Sequence, residues 1–296
     1  MLTIIVPVFN ESAGITDFLN ELKLNLANLS YPIEVIIVDD YSTDHSKNLI
    51  ENFILETKEE LNHVFHLIQN QSNLGYGASI KKGMLHSKFK TCAIIDADVT
   101  YSVQDLLTLV ENFQQESTSM IVGARSGKIY QGNLTKKIMR SVLKKIVEYM
   151  ANRRIPDINS GIRVFDKAIA TNNLRLLSDR FSFTTSLTLV FMLNGATVKY
   201  IPIEYRKRSG ESKVRLMGDA IKTLGLILVV SFYFNPMKIL YPITLLLLIL
   251  SIIMFFISIA LQSSIFFFIS SLFLVNGMVI LAIGLCAHLI SLKLNN

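Results

Sequence analysis

Residues 92–100 read CAIIDADVT, an apolar run that ends in two carboxylates one residue apart, Asp96 and Asp98. Side chains at positions i and i+2 of a strand share a face, so both carboxylates point the same way at the tip of a buried strand. Two carboxylates this close repel each other unless a cation or a proton lies between them. Because Mg²⁺ and Mn²⁺ bind through carboxylates together with substrate phosphates, this stretch predicts a phosphate-handling site.

Strands of this kind alternate with amphipathic helices from Leu2 to about residue 125. In Ala13–Leu29, for example, apolar residues recur every three or four positions, the period of an amphipathic helix. The alternation predicts an α/β fold with a Rossmann-like, mostly parallel sheet and helices on both faces. The predicted strands are Leu2–Val8, Glu34–Val38, Val64–Ile68, Cys92–Ile95 and Met120–Val122, and the predicted helices are Ala13–Leu29, Asp44–Glu60, Gly77–Ser87, Val103–Gln115 and Leu134–Arg154.

A second predicted strand ends in the carboxylate pair Asp39 and Asp40, just before Ser42 and Asp44, either of which can cap the next helix. A carboxylate at a strand tip can accept the N–H groups of a nucleobase or hold a ribose hydroxyl. In open parallel sheets ligands bind beyond the carboxyl ends of the strands, so the two acidic strand ends are expected to converge on one crevice. The glycine-containing turn Asn73–Ala78 enters a helix, and its backbone suits close approach to phosphate.

The C-terminal region is lipid-like, because all acidic residues precede it and Ile239–Leu261 and Ile265–Leu289 carry no charge. Each of these segments exceeds the roughly 20 residues that cross a bilayer core. Only Gln262–Ser264 separates them, which predicts a transmembrane hairpin of two helices. Lys238 and Lys293 flank its outer ends, so the positive-inside rule predicts that the catalytic domain and the C-terminus are cytoplasmic.

Two basic stretches lie between the acidic strand ends and the hairpin. Leu134–Arg154 predicts a helix that either lies on an anionic membrane surface or packs on the domain as a solvated helix. A predicted interfacial helix, Leu216–Phe234, follows a second basic cluster, which consists of Arg206, Lys207, Arg208, Lys213 and Arg215. Their position beside apolar segments favours anionic lipid over nucleic acid as the partner. We therefore predict a catalytic domain over residues 1–215, an interfacial helix over 216–235 and a hairpin over 236–296.

The cysteine and histidine content argues against several classes of site. Two lone cysteines, Cys92 and Cys286, predict neither a disulfide nor a zinc centre, and the five histidines lack metal-ligand spacing. Met1 leads directly into a strand-like run, which predicts no signal peptide. The sequence thus favours an integral membrane enzyme with two spans.

Seven motifs follow one another along Leu2–Arg215: VPVFNE (Val6–Glu11), VDDYSTD (Val38–Asp44), NLGYGASIKKG (Asn73–Gly83), DAD (Asp96–Asp98), VGARSG (Val122–Gly127), DINSGIRVF (Asp157–Phe165) and YRKRSGESKVR (Tyr205–Arg215). The first four resemble, in order and spacing, the family 2 glycosyltransferases of GT-A fold. The last three resemble the polyprenyl-phosphate branch of that family, which includes dolichol-phosphate mannose synthases and bacterial undecaprenyl-phosphate sugar transferases.

The resemblance implies inverting transfer of a sugar from a UDP- or GDP-linked donor to a dolichyl or undecaprenyl phosphate at the cytoplasmic membrane face. It implies that Asp96 and Asp98 hold Mg²⁺ or Mn²⁺, and that Asp98, Arg125 and Arg163 are catalytic. A homo-oligomer is compatible with it. The residues implied to bind the nucleotide sugar are Pro7, Phe9, Glu11, Asp39, Asp40, Gly75, Lys81, Asp96, Ala97 and Arg206, and those implied to bind the acceptor phosphate are Arg125, Ser160, Arg163 and Lys213.

The chain departs from relatives at two positions, since Thr100 stands where many have Gln and Phe9 where Tyr is commoner. Three alternative functions also remain open at this point. Transfer to a glycolipid or another hydroxyl acceptor would need a carboxylate base, for which Asp157 is the nearest candidate. A processive polysaccharide synthase would use a Gln-x-x-Arg-Trp segment, and this sequence contains no Trp. A non-catalytic nucleotide-sugar binder would be expected to have lost its acidic pairs.

Overall fold

The structure is a computed structural model that describes residues 1–27, 29, 31–57, 63–126, 134–206 and 216–295, without the side chains of 134–140, 216–220 and 295. The chain divides into two compact units, Met1–Leu226 and Ile227–Asn296. The strands are β1 (Leu2–Val8), β2 (Ile33–Asp39), β3 (Val64–Gln69), β4 (Thr91–Ile94), β5 (Met120–Ser126), β6 (Arg163–Asp166) and β7 (Val198–Glu204). The helices are α1 (Ile15–Leu26), α2 (Ser46–Thr57), α3 (Tyr76–His86), α4 (Val103–Gln115), α5 (Leu134–Ala151), α6 (Lys167–Asn172), α7 (Phe183–Leu193), α8 (Leu216–Phe234), α9 (Met237–Leu261) and α10 (Ser264–Asn295).

The first unit is built on a seven-stranded sheet in the order β3-β2-β1-β4-β6-β5-β7. Every pairing is parallel except those of β6, which runs antiparallel to β4 and to β5. The predicted α/β fold with a mostly parallel sheet is therefore confirmed. In the central register Val8 lies beside Asp39 and Ile5 lies beside Ile94. The carboxyl ends of β1, β2 and β4 consequently meet at one edge of the sheet.

Helices cover both faces of the sheet. Successive side chains of β1 point to opposite faces, and because nearly all of them are buried, both faces must be covered. Ile4 and Val6 belong to the main hydrophobic core, together with Phe18 of α1 and Leu106 of α4. Ile5 points to the other face, where a Cβ added to a glycine of α3, Gly83, would lie 2.6 Å from the Ile5 Cγ2 atom. Glycine at this position therefore lets α3 pack closely against the central strand.

Two strands and two short helices were not predicted from the sequence pattern, namely β6, β7, α6 and α7. The helix α7 is buried along nearly its whole length, so its sequence, FTTSLTLVFML, has little amphipathic period. Two of its hydroxyl groups donate within the helix, Ser186 to the Phe183 carbonyl oxygen and Thr188 to the Thr184 carbonyl oxygen, each at 2.9 Å. The short strand β6 begins with a buried arginine and ends with Asp166, whose carboxylate caps α6 by accepting from the Ala168 N–H at 2.8 Å.

The second unit contains α9 and α10, both long and apolar enough to cross a membrane. The helix α9 ends at Leu261, and the residue that follows, Gln262, caps it in a left-handed conformation (φ 48°). Ser251 and Ser270 join the two helices reciprocally, because each hydroxyl donates to the other residue's carbonyl oxygen, at 2.8 and 2.9 Å. Both helices extend beyond the predicted spans. Of the predicted basic cluster, Lys207, Arg208, Lys213 and Arg215 lie outside the described residues.

Candidate active site

A cavity of about 400 Å³ opens at the sheet edge where β1, β2 and β4 end. This volume falls within the range of small-molecule sites, about 300–1,000 Å³. Four carboxylates and three aromatic rings line it. The lining residues are Pro7, Val8, Phe9, Glu11, Asp40, Asn73, Gly75, Tyr76, Ser79, Asp96, Ala97, Asp98, Arg180 and Phe181.

Each strand that meets this cavity is followed by a non-glycine residue in the left-handed backbone region. These residues are Asn10 (φ 51°) after β1, Tyr41 (φ 64°) after β2 and Val99 (φ 56°) after β4. Positive φ is tolerated by asparagine but is an outlier for a β-branched residue such as valine. Backbone strain of this kind clusters at functional sites, where it costs about 1–3 kcal/mol per residue. The three strained turns therefore support a functional site at this edge of the sheet.

The Asp96 carboxylate is held in a close-fitting pocket of its own. Its Oδ1 atom accepts a hydrogen bond from the Tyr76 hydroxyl at 2.8 Å. On the other side lies Gly161, where an added Cβ would come within 2.2 Å of Asp96 Oδ2. Burial, and then the Asp96 charge, raise the pKa of Tyr76 well above its ordinary value, so the tyrosine hydroxyl stays protonated and donates.

The Asp98 carboxylate is fixed by the turn that follows it. Its Oδ1 atom accepts from the Thr100 hydroxyl at 2.5 Å and from the Thr100 N–H at 3.2 Å. Thr100, which stands where many relatives have Gln, thus contacts the second carboxylate directly. Asp98 is 8% exposed and still lines the cavity.

The two carboxylates that end β2 have different surroundings. Asp39 is fully buried and accepts from the Ser42 N–H and from Gln69 Nε2 at 3.2 Å, away from the cavity wall. Asp40 lines the cavity and accepts from the N–H groups of Leu74 and Gly75, each at 2.8 Å. Asp40 therefore ties the glycine turn to the strand tip, and it is the member of the pair that faces the cavity.

The glycine turn packs against the segment that precedes α7. A Cβ at Gly77 would lie 2.1 Å from the Ser178 carbonyl oxygen, and one at Gly75 would lie 2.6 Å from the Asp179 carbonyl oxygen. The Ala78 N–H donates to that same Asp179 oxygen at 3.0 Å. The two glycines thus accommodate the protein's own backbone, and Gly75, at φ 109°, also lines the cavity.

The predicted phosphate ligand Arg125 forms a bidentate ion pair with Asp157. Its Nε and Nη2 atoms donate to the two Asp157 carboxylate oxygens at 2.6 and 2.8 Å. Burial acts to raise the pKa of Asp157, but the hydrogen bonds and charge of Arg125 outweigh it and hold the pKa below its ordinary value. The guanidinium also lies over the Tyr205 ring, 5.4 Å from its centroid. Arg125 is not part of the cavity lining.

Arg163 and Ser160 lie in the interior. Arg163 has no exposed surface, and its guanidinium donates to the Thr184 carbonyl oxygen and the Thr188 hydroxyl, each at 3.1 Å, and to the Ser160 carbonyl oxygen. Burial lowers its pKa. The structure brings neither residue to the cavity, so their predicted contact with a substrate phosphate gains no support from this placement. In the described structure Arg163 joins α7 to the loop before β6.

Three further predicted basic ligands also lie away from the cavity wall or outside the described chain. The Lys81 ammonium donates to the Leu177 carbonyl oxygen at 2.5 Å and to Asp179 at 2.7 Å. Arg206 donates to the Glu21 carboxylate at 3.1 Å. Lys213 lies outside the described residues.

Six residues of the cavity wall were not among the predicted site residues: Val8, Asn73, Tyr76, Ser79, Arg180 and Phe181. Tyr76 lies inside the motif NLGYGASIKKG, so its position beside the acidic pair could have been inferred from that motif. Arg180 and Phe181 belong to a segment without a motif. Phe181 stacks on Tyr76 with ring centroids 6.1 Å apart, which connects this segment to the Asp96 carboxylate.

The donor set of the cavity fits a divalent cation shared with a substrate. Asp96 and Asp98 bring hard carboxylate oxygens to the same cavity, and neighbouring hydroxyl donors hold both side chains in place. The described residues contain no group of three or more His, Cys, Asp and Glu side chains that would hold a metal without a substrate. Mg²⁺ in particular is usually bound by one or two carboxylates plus phosphates and water, so the pair suffices.

Comparison with known proteins links this chain to one family. The model described as Glycosyl transferase family 2 matches residues 3–172. A dolichyl-phosphate beta-glucosyltransferase of Saccharomyces cerevisiae is 24% identical over 244 residues, which cover 75% of this chain and 71% of the relative. Undecaprenyl-phosphate 4-deoxy-4-formamido-L-arabinose transferase of Salmonella choleraesuis is 22% identical over 217 residues, covering 73% and 63%. The fold resembles glucosyl-3-phosphoglycerate synthase of Mycobacterium tuberculosis, with a TM-score of 0.59 at 13% identity and 78% of each chain covered.

Proposed function

The chain belongs to glycosyl transferase family 2, and from this premise we propose that it transfers a sugar from a nucleotide diphosphate sugar to a polyprenyl phosphate. The observation that carries the proposal is the single cavity that Asp96 and Asp98 share with Asp40. Paired carboxylates beside a further strand-tip carboxylate suit a nucleoside diphosphate and its cation. The names of the relatives, a dolichyl-phosphate and an undecaprenyl-phosphate transferase, support a polyprenyl phosphate as the acceptor.

The nucleotide would bind at the ends of β1 and β2. Pro7 and Phe9 offer apolar surface to a base, and the Phe9 ring cannot donate the hydrogen bond that the commoner tyrosine supplies. Glu11 and Asp40 offer acceptors for base N–H groups or ribose hydroxyls. Since Asp40 is already fixed by two backbone N–H groups, it is pre-organised for such a contact.

Asp96 and Asp98 would hold the divalent cation, which when bound neutralises negative charge on the leaving diphosphate. The Tyr76 hydroxyl orients Asp96 and the Thr100 hydroxyl orients Asp98. Such supporting contacts keep a carboxylate in its binding orientation before the substrate arrives. Ala97, which lies between the two, lines the wall with no charge of its own.

In the proposed reaction an acceptor phosphate oxygen forms a bond to the anomeric carbon while the bond to the diphosphate oxygen breaks, with inversion. The acceptor phosphate is already ionised at neutral pH, so positioning and charge stabilisation are the protein's main contributions. Transfer to a hydroxyl acceptor is less well supported, because its candidate base, Asp157, is held by Arg125 with a lowered pKa. For Arg125 to bind the acceptor phosphate, it would have to exchange Asp157 for that phosphate.

The apolar helices α9 and α10 support attachment of the enzyme to the membrane that contains the lipid acceptor. We place the catalytic unit on the cytoplasmic side, because Lys238 and Lys293 flank the outer ends of the hairpin. Cysteines introduced singly at Gln262 and at a position in the first unit, followed by labelling of intact cells with an impermeant thiol reagent, test this orientation. Labelling of the first-unit cysteine from outside would contradict it.

A lipid-labelling assay tests the proposed function. Membranes that contain the protein are incubated with Mg²⁺ or Mn²⁺, polyprenyl phosphate and one radiolabelled donor, starting with UDP-glucose because several relatives are named glucosyltransferases. UDP-N-acetylglucosamine and GDP-mannose are tested in parallel. One donor is expected to label a lipid, and Asp98→Asn is expected to abolish that label without loss of the folded protein. Labelling by none of the donors, or full labelling by the Asp98 variant, would overturn the proposal.

A further inference from the structure

We propose that Arg180 binds a phosphate group of the donor's diphosphate, an inference that rests on the proposed function. Arg180 lies in the segment Leu177–Ser182, between the short 3-10 turn Leu174–Leu176 and α7. It is exposed and lines the cavity. No motif and no predicted role from the sequence pointed to it.

The first argument is the charge of the cavity wall. Four carboxylates line it, at Glu11, Asp40, Asp96 and Asp98, and within the described parts of the chain Arg180 is the only lysine or arginine that does. A diphosphate that enters such a site needs cationic partners, and one divalent cation cannot contact all of its oxygens. A planar guanidinium meets phosphate oxygens with two parallel hydrogen bonds, which makes arginine the suitable residue.

The second argument is what occupies the other basic side chains near the site. Lys81 is bonded to a carbonyl oxygen and to Asp179, and Arg125 is paired with Asp157. Arg163 has no exposed surface, and Arg206 is paired with Glu21. Arg180, by contrast, makes one long side-chain hydrogen bond to the described residues, from Nη1 to Asn73 Oδ1 at 3.3 Å. Exchange of this neutral, exposed contact for a charged phosphate is favourable.

The third argument is that the backbone holds Arg180 at the cavity while its head group stays exposed. Its N–H donates to the Ser178 hydroxyl at 3.1 Å, and the neighbouring Asp179 carbonyl oxygen accepts from the Ala78 N–H. The aliphatic part of its side chain lies directly over Gly75, where an added Cβ would be 2.7 Å from Arg180 Cδ. The base of the side chain is therefore fixed by packing, and the guanidinium remains available to a ligand.

Two substrates of the proposed reaction carry phosphate, the donor and the lipid acceptor. The neighbours of Arg180 favour the donor. Asn73 accepts its hydrogen bond and Gly75 packs against its stem, and both residues belong to the turn that Asp40 fixes at the proposed nucleotide end of the cavity. We therefore assign Arg180 to the nucleoside diphosphate.

The test compares three variants with a matched control. Arg180→Ala removes the side chain, Arg180→Gln keeps a donor for Asn73 without the charge, and Arg180→Lys keeps the charge without the planar fork. Arg175→Ala removes an exposed arginine five positions earlier that does not line the cavity. Each purified protein is titrated, with Mn²⁺ present, with the nucleoside diphosphate of the active donor and with the corresponding nucleoside. The KM values for donor and for polyprenyl phosphate are then measured separately.

We expect Arg180→Ala and Arg180→Gln to weaken binding of the nucleoside diphosphate roughly 10- to 100-fold, the range of a hydrogen bond to a charged group. Binding of the nucleoside should stay within about twofold, because it carries no phosphate. Arg180→Lys should recover part of the loss, and Arg175→Ala should behave as wild type. A merely structural role of Arg180 would instead weaken nucleoside and diphosphate equally.

Three outcomes would overturn the inference: unchanged diphosphate binding in Arg180→Gln, equal losses for nucleoside and diphosphate, or a change confined to the KM for polyprenyl phosphate. The last outcome would assign Arg180 to the acceptor. If wild-type protein labels lipid normally while these results appear, the inference about Arg180 fails and the proposed function stands. If wild-type protein neither binds a nucleoside diphosphate nor labels lipid, the proposed function itself fails.

Discussion

Substitution of Gly161 by alanine is the sharpest test of how the Asp96 carboxylate is positioned. The added Cβ would lie 2.2 Å from Asp96 Oδ2 and 2.8 Å from Asp96 Cγ. Ordinary contact between such atoms begins at about 3.4 Å, so the carboxylate must move by roughly 1 Å. It does so against the hydrogen bond from the Tyr76 hydroxyl at 2.8 Å. The backbone of Gly161 itself accepts alanine, since its φ is not in the left-handed region.

A displacement of about 1 Å in a positioned catalytic group typically costs on the order of 100-fold in rate. This factor corresponds to about 2.7 kcal/mol of transition-state stabilisation. Gly161→Ala should therefore lower kcat/KM for the donor about 100-fold and weaken Mn²⁺ binding about 10-fold or more, as is typical when a supporting contact of a metal ligand is lost. Stability should fall by only about 1 kcal/mol, the value of one hydrogen bond.

The assay pairs lipid labelling with a Mn²⁺ titration followed by electron paramagnetic resonance, both in detergent. Gly225→Ala is the control, because an added Cβ there meets nothing within 4 Å. It should leave activity unchanged and stabilise α8 by about 0.5–1 kcal/mol. Wild-type kcat/KM and Mn²⁺ affinity in folded Gly161→Ala would refute the view that a close fit around Asp96 positions a metal ligand.

Three further substitutions have defined outcomes. Tyr76→Phe removes the hydroxyl that orients Asp96 and should weaken Mn²⁺ binding about 10-fold in the same titration, with a melting temperature about 2–4 °C below that of wild type. Asp157→Asn breaks the buried pair with Arg125 and should cost about 3 kcal/mol in thermal unfolding at pH 7. Because the pKa of Asp157 is lowered in the fold, this difference should be full above the ordinary aspartate value, about 4, and shrink as pH falls through the lowered pKa. Asp44→Ala should lower the free energy of unfolding by about 1 kcal/mol, because it removes the carboxylate that accepts from the Ser46 N–H at the start of α2. This difference should be present above about pH 4 and be lost as pH falls toward the folded-state pKa of Asp44, about 2. An unchanged melting temperature at pH 7 would contradict it.

The fold was largely predictable because its central strands are continuous apolar runs that are followed by polar or charged residues. Leu2–Val8 was predicted to the residue, and β2, β3 and β4 to within one residue at each end. The helix α7 escaped prediction because burial on nearly all sides removes the alternation of apolar and polar residues on which helix prediction depends. The strand β6 escaped because its first residue, Arg163, is an arginine in the interior, which composition does not lead one to expect.

The cavity residues that lie at strand ends could be predicted from the sequence. The basic residues could not, because their positions depend on which carboxylate each one forms an ion pair with. Asp96 and Asp98 follow directly from an apolar run, and parallel topology brings them beside the end of β1. The arginines could not be assigned in the same way, because sequence does not show which carboxylate a guanidinium meets. In the structure Arg125 is paired with Asp157. Arg180, which lies in a segment without a motif, is the only lysine or arginine that lines the cavity in the described chain.

The left-handed residues at the three strand ends have a consequence for laboratory evolution. At Val99 in particular, glycine or asparagine would relieve a backbone conformation that valine tolerates poorly. A library selected only for resistance to heat should therefore enrich such replacements around the sheet edge, and these clones should lose turnover as they gain stability. Parallel selection for turnover should retain the valine, so the divergence between the two populations would report how much stability this enzyme gives up for its chemistry.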